Sequence, residues 1–499
     1  MNLNLLILFP LLTCLAILFA PSKGAIRLFA LVGASVQLLL CVVLLFQFNQ
    51  YSVGDMSGKM IFESSVPWFS ALNINYHIGV DGISIAMILL TAFVVLAGIL
   101  VSWKVEKMTK EFFFLLTLLS AGAYGFFISL DLFLMFFFLE VAVVPKYLLI
   151  GIWGSGKKEY SANKLALMLM GGSALVLVGM LGLYYNSTVA GTGFSLMALR
   201  SQAIPLHIQL IYFPFLFVGF GVFTAIFPFH TWVPDGHSSA PTAASMFLAG
   251  ISMKLGGYGC LRVAAYLMPE AAHYYSPYIV GLAAIAILYG AFATMMQKDL
   301  KYMNAYSSVS HCGFVLLGIG MLTPTAINGA VMQMVSHGLM TALFFAAIGM
   351  IYERTHTRVV SELGGLLKVM PFISTVFFIA GFCSLGLPGL SGFVAEMTVF
   401  VGSWERVEMF YRMATIAACM SIVVTAVYIL RASGMSLMGS IKNKKFESLT
   451  DASWNEKAAA SLLIVGILII GISPFLLSNL ITPGTEQIMQ NINRLFTLN

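Results

Sequence analysis

Gly381-Phe-Cys-Ser-Leu-Gly-Leu-Pro-Gly-Leu-Ser-Gly392 interrupts an apolar run that extends from residue 371 to 405. A single membrane span takes about 20 residues, so this run is too long for one ordinary helix. Its glycines and proline fall at the centre, where they release backbone groups from helical pairing. In a bilayer such a break survives only where protein or a water-filled cavity satisfies the freed groups. In transporters, broken helices line the ion path. Just past the break stands Glu396, a carboxyl in an otherwise apolar stretch. A proline kink used only for packing is the plainer alternative.

Composition sets the surroundings of that run. The chain has 499 residues, of which 60% are hydrophobic and 9% charged, with mean hydropathy +0.94. Soluble proteins carry about 25% charged residues, so a soluble multi-domain enzyme is excluded. The apolar stretches are continuous rather than alternating, which argues for helices and against a barrel. The expected fold is therefore an all-α integral membrane protein. About fourteen spans are expected, near residues 3–20, 26–47, 80–103, 112–129, 131–152, 163–185, 209–229, 241–263, 276–297, 302–320, 327–351, 371–405, 410–432 and 458–480.

Charge supports that count. With the N-terminus outside and alternating spans, 18 of the 26 basic residues fall on the inner side and 6 on the outer, Arg494 among the latter. Lys146 and Lys254 lie within spans. Basic residues collect on the cytoplasmic side of membrane proteins, so both termini are expected outside. The net charge of +6 is thus a topology signal and implies no nucleic-acid partner. Six cysteines lie in apolar segments without metal-ligand or CxxC spacing, which supports neither a disulfide framework nor an iron–sulfur site. The first apolar run, residues 3–20, lacks a basic leader region and reads as a retained helix.

Against this background a few ionisable groups stand inside spans. A charge at the bilayer centre costs about 2.5–3.5 kcal/mol on insertion scales, so each is a functional suspect. Glu140 follows a phenylalanine-rich run and precedes Pro145. Lys146, six residues on, projects from another face of the helix. Lys254 shares a face with Gly250 and Gly257, small residues that let a neighbouring helix come close; that face is expected to point into the bundle. His311 and His337 suit proton relay because histidine titrates near neutral pH, and each sits beside a serine (Ser310, Ser336). Lys301 opens the span that carries His311. For each the blander reading is a packing, snorkelling or structurally paired side chain. No phosphate-binding loop, nucleophile elbow or metal cluster accompanies them, so no catalytic, cofactor-binding or metal-ligating residue is assigned.

Four segments carry a family resemblance. Phe227-Pro-Phe-His-Thr-Trp-Val-Pro-Asp-Gly-His-Ser-Ser-Ala-Pro-Thr-Ala-Ala-Ser245 resembles the signature of the proton-translocating antiporter-like membrane subunits. Asp299-Leu-Lys-Tyr-Met-Asn-Ala-Tyr-Ser-Ser-Val-Ser-His-Cys-Gly-Phe314 is similar to a second motif of that family. Ser129-Leu-Asp-Leu-Phe133 and Phe138-Leu-Glu-Val-Ala-Val-Val-Pro-Lys-Tyr147 resemble its glutamate-bearing fifth helix, and Leu387-Pro-Gly-Leu-Ser-Gly-Phe-Val-Ala-Glu396 its broken twelfth. Glutamate at position 396, where other types carry lysine, resembles the M type found in bacterial respiratory NADH:quinone oxidoreductase, complex I.

The resemblance implies two inverted five-helix repeats, each with one discontinuous helix. The implied divisions are 1–111 for three N-terminal helices, 112–263 and 264–432 for the repeats, and 433–499 for an inner loop and last helix. It implies a proton path through Glu140, Lys254, Lys301, His311, His337 and Glu396, coupled to quinone reduction elsewhere in the complex. FMN, iron–sulfur clusters, NADH and quinone are expected in partner subunits, with none in this chain. The expected neighbours are L- and N-type subunits, small membrane subunits and lipid, in a bacterial inner membrane. One position departs from the family. A lysine usually stands eight or nine residues before the motif tryptophan and pairs with the helix-five glutamate. Here that position is Phe223, and residues 210–229 hold no charge. A subunit of a multisubunit cation/proton antiporter and a structural, non-pumping membrane-arm subunit are the alternatives.

Overall fold

A computed structural model describes every residue except 1, 53, 55–57, 187–192, 203 and 494–499; Arg494 lies outside the described residues. The chain order is α1 (Leu5–Leu18), α2 (Lys23–Tyr51), β1 (Ile61–Phe69), β2 (Ile74–Val80), α3 (Gly82–Val101), α4 (Thr109–Ile128), α5 (Leu132–Trp153) and α6 (Lys158–Tyr185). There follow α7 (Leu196–Ser201), α8 (Leu206–Thr224), α9 (Trp232–Ser239), α10 (Thr242–Phe247), α11 (Met253–Gly259), α12 (Pro269–Met296), α13 (Leu300–Met321) and α14 (Pro324–Thr355). The rest are α15 (Leu366–Val369), α16 (Pro371–Ser384), α17 (Ser391–Trp404), α18 (Met409–Leu437), α19 (Trp454–Ile472) and α20 (Phe475–Asn493). Ten helices among the described residues are long and apolar enough to cross a membrane. A helix satisfies its own backbone groups, which is why apolar runs in a bilayer take this form.

Burial ranks the helices. The apolar window of α14 is wholly buried and that of α3 is 89% buried, whereas α2 buries 33% and α18 39%. α14 packs on α3, α13, α16, α17 and α19. The residues it carries therefore lie at the centre of the bundle.

Two departures from the sequence reading have local causes. β1 and β2 form an antiparallel hairpin, with Val66 opposite Tyr76 and left-handed Asn73 at the turn. Most of β1 is exposed, so it lacks the alternation that marks a half-buried strand. The last expected span is also two helices. α19 stops at Ile472, and α20 starts after Pro474, which has no N–H to continue a helix.

One local arrangement occurs twice. Asp131 caps α5, its carboxylate accepting from Phe133 N (2.9 Å) and Leu134 N (3.1 Å). The chain there makes a short antiparallel pairing: Leu132 N donates to Phe194 O and Leu196 N to Leu130 O. Asp299 caps α13 in the same way, accepting from Lys301 N (2.7 Å) and Tyr302 N (3.3 Å). Leu300 N donates to Arg358 O, and Val360 N to Lys298 O. A discontinuous helix follows each pairing, α8 with α9 in one case and α16 with α17 in the other.

Basic residues gather at one end of the bundle. Lys107 and Lys158 both donate to Ile152 O, Lys110 donates to Leu18 O, and Lys23 and Arg27 meet Glu106. The two cations hold the Glu106 carboxyl below its ordinary range. These are residues that charge asymmetry assigns to the inner side.

Candidate functional site

The site begins at a helix that is not a regular α-helix. The segment after α10 runs through wider π-helical turns at residues 248–252 and 260–265, which flank α11. π-turns recur at functional positions because they re-aim side chains. Between them Lys254 is 0% exposed. Its Nζ donates to Ala249 O and to His337 Nδ1, the latter at 2.8 Å. The glycines make that reach possible. A Cβ on Gly250 would stand 3.3 Å from Gly338 O, and one on Gly257 would stand 2.8 Å from Met334 Sδ. Both contacts are with α14, so the face of Lys254 does point into the bundle.

From His337 the contacts continue. Its ring stacks on His311, with centroids 5.2 Å apart at 26°. With Lys254 as donor, His337 Nδ1 accepts and the ring proton sits on Nε2; that nitrogen has no hydrogen-bond partner among the described residues. His311 Nε2 lies 3.0 Å from Ser384 Oγ, at the end of α16. His311 Nδ1 lies 3.3 Å from Glu396 Oε1, and the Gln333 amide Nε2 is also 3.3 Å away. Those two partners demand opposite states. A carboxylate favours a proton on Nδ1, whereas the amide N–H needs a lone pair there. Glu396, on α17, is 5% exposed. Lys254, His337, His311 and Glu396 thus form one contiguous buried row.

The serines beside the histidines in sequence are not their partners. Ser310 Oγ donates to Ile287 O, and Ser336 Oγ to Ser391 Oγ at 2.8 Å. Neighbours along a helix point to different sides, and Ser384 is the hydroxyl that meets His311.

The break before Glu396 is shaped around it. Gly386 and Gly389 both adopt positive φ, at 75° and 92°. Leu387 N donates back to Phe382 O, and Gly386 N to Cys383 O. A Cβ on Gly386 would stand 2.8 Å from Glu396 Oε2. The α8–α9 break carries the same pair of backbone bonds, Ile226 N to Gly221 O and Ala225 N to Val222 O. Ala225 takes a left-handed conformation, and the Trp232 indole adds a second donor to Val222 O at 2.9 Å.

Lys301 lies outside the row. It is buried, and its Nζ donates to Ala240 O at 2.7 Å. Ser239, one residue earlier, lines a cleft of about 530 Å³ with Lys157, Asp235, Tyr302 and Arg358. Between Lys301 and Lys254 the structure places a residue that sequence reasoning quoted but did not select. His237 on α9 is 0% exposed, and its ring stacks 5.4 Å from Phe345 and 6.1 Å from Trp232. Neither ring nitrogen has a hydrogen-bond partner among the described residues. Both lysines are within electrostatic reach of it. Its only signal in the sequence was a second histidine in the Phe227–Ser245 segment.

Glu140 stands apart from the row. It is half-buried on α5, on a face that exposes Phe137, Val144 and Tyr147. Its Oε1 is buried and has no hydrogen-bond partner among the described residues. Lys146 points to another face, as its spacing implies, and is 0% exposed. No group of histidine, cysteine or acidic residues among those described has the arrangement to hold a metal ion.

The family described as NADH:quinone oxidoreductase/Mrp antiporter, TM, matches residues 129–421. Chain 4 1 of the NAD(P)H-quinone oxidoreductase of Synechococcus sp. (strain JA-2-3B'a(2-13)) is 38% identical over 95% of this chain and 89% of its own. The chloroplastic chain 4 of Mesostigma viride is 35% identical over 98% and 96%. A chain of respiratory complex I from Thermus thermophilus with bound NADH superposes with a TM-score of 0.88 and 25% identity. That likeness covers 98% of this chain and 99% of the other.

Proposed function

The chain belongs to the NADH:quinone oxidoreductase/Mrp antiporter transmembrane family, and we propose that it is the M-type proton-translocating subunit in the membrane arm of a complex I. The observation that carries this is the buried row from Lys254 through His337 and His311 to Glu396. Such a row has groups that can each hold a proton, set in contact with one another. Lys254 gives its proton to His337 Nδ1. The stacked rings exchange it through a water bridging their nitrogens, and His311 Nδ1 passes it to Glu396. Lys301 and His237 reload Lys254 from the polar cleft at Ser239. Electron transfer in other subunits supplies the driving force. FMN, iron–sulfur clusters, a nicotinamide donor and quinone belong to those subunits.

The division into repeats at 112–263 and 264–432 is part of this reading. The twin capping arrangements at Asp131 and Asp299, each followed by a discontinuous helix, support it. The half-buried carboxyl of Glu140 on an apolar face supports a covering neighbour there, since a lipid-facing charge is costly. We place the chain in a bacterial inner membrane with both termini outside; the basic end of the bundle supports the orientation.

A test in inverted membrane vesicles uses the whole complex. Lys254→Ala and Glu396→Gln should each lower the protons taken up per electron while electron transfer to quinone persists. If both variants pump normally, the row carries no protons. The antiporter reading would instead be supported by purification with only small membrane subunits and no flavin or iron–sulfur partners. The structural, non-pumping reading rests on Phe223, and normal pumping by both variants would favour it.

A further inference from the structure

Lys146 is a fully buried ammonium that the row does not use. Its Nζ lies 5.9 Å from the centroid of the Phe223 ring, and it has no hydrogen-bond partner among the described residues. Phe223 is itself 0% exposed and wedged against α6, where a Cβ on Gly172 would stand 3.3 Å from its Cε2. An aromatic face attracts a cation, but by less than a buried ammonium loses in leaving water. The ammonium therefore needs an anion. Glu140, six residues earlier on the same helix, is within electrostatic reach, and its buried Oε1 is equally without a partner. Two opposite charges, each with a buried atom lacking a partner, thus stand on either side of Pro145, Lys146 in the interior and Glu140 at the half-buried edge of α5. Lys146 and Glu140 point to different helix faces, so the pair is not locked. A pair held at a distance by a rigid helix can strengthen or weaken as the field around it changes.

We propose that Lys146 is the counter-cation of Glu140, supplied from α5 into the space that Phe223 occupies on α8, and that this pair gates the buried row. The family resemblance leaves Glu140 without its lysine at position 223. The geometry puts an ammonium 5.9 Å from the centre of the ring at that position instead. This inference rests on the proton-translocating reading above and adds a positioning residue to it.

The test is charge relocation in the intact complex, read as protons taken up per electron in inverted vesicles. Lys146→Met should cut that ratio by half or more. Adding Phe223→Lys in the same chain should restore most of it, because the cation returns to the same space. Phe223→Lys alone should lower pumping, since it places two ammonium groups side by side. Glu140→Gln combined with Lys146→Met should be no worse than either single change, as expected for partners in one interaction. Normal pumping by Lys146→Met would overturn the proposal, and so would a loss that Phe223→Lys fails to repair. If Lys146→Met prevents assembly, recovery of the assembled complex by Phe223→Lys supports the proposal, and failure to recover overturns it. Lys254→Ala runs alongside. Should it abolish pumping while Lys146→Met does not, this inference falls and the row stands. Should neither affect pumping, both fall.

Discussion

A single nitrogen at the far end of the row meets two competing partners. His311 Nδ1 faces a carboxylate oxygen and an amide N–H at equal distance. Protonated, it bonds Glu396; deprotonated, it accepts from Gln333. The position of Glu396 is guarded by Gly386, whose left-handed backbone and missing Cβ leave room for Oε2. Gly386→Ala adds about 1–2 kcal/mol of backbone strain and presses a methyl on the carboxyl. We expect the complex to assemble and pass electrons, with fewer protons taken up per electron in inverted vesicles. Each of the suspect residues was legible in sequence because a charge in an apolar run is conspicuous. Their partners were not. Ser384, Gln333 and His237 belong to segments remote from the groups they meet, and the adjacent serines pointed elsewhere.

At the level of elements, both breaks were marked by glycine and proline, but their closure was not. The α16–α17 break is closed by its own backbone, with Leu387 N and Gly386 N turned back onto α16. The α8–α9 break is closed the same way, by Ile226 N on Gly221 O and Ala225 N on Val222 O, and the Trp232 indole adds a second donor to Val222 O. Trp232→Phe keeps the ring beside His237 and leaves that carbonyl with the Ala225 N–H as its one donor among the described residues. One buried hydrogen bond contributes about 0.5–1.5 kcal/mol, so the variant should slightly lower the melting temperature of the detergent-solubilised complex. An unchanged melting temperature would mean that water fills the gap. The hairpin of β1 and β2 escaped sequence reading because its first strand is exposed and carries no burial pattern. The end of α19 was mistaken for the middle of a span because residues on both sides of Pro474 are apolar.

For the molecule as a whole, one buried ion pair ties distant segments together. Asp81 and Arg262 are an ion pair 181 residues apart, both almost fully buried. Asp81 also caps α3 through Ser84 N at 2.9 Å, and a Cβ on Gly484 of α20 would stand 3.1 Å from its Oδ2. Arg262→Met strands that carboxylate, and breaking a buried pair from one side costs about 3–5 kcal/mol. The amount of assembled complex in the membrane should fall sharply, and Asp81→Asn in the same chain should recover part of it. Failure to recover would show that the arginine acts by packing on Tyr258 and Tyr266. Hydropathy alone established a helical membrane protein, and its buried charges named most of the row, because bilayer insertion penalises every stray charge. Only the packed bundle decided which charges meet. A helix period fixes the face from which Lys146 leaves α5, but not that Phe223 of α8 lies beneath its ammonium. That contact depends on how closely α5, α6 and α8 approach, which small residues such as Gly172 permit and local sequence does not encode.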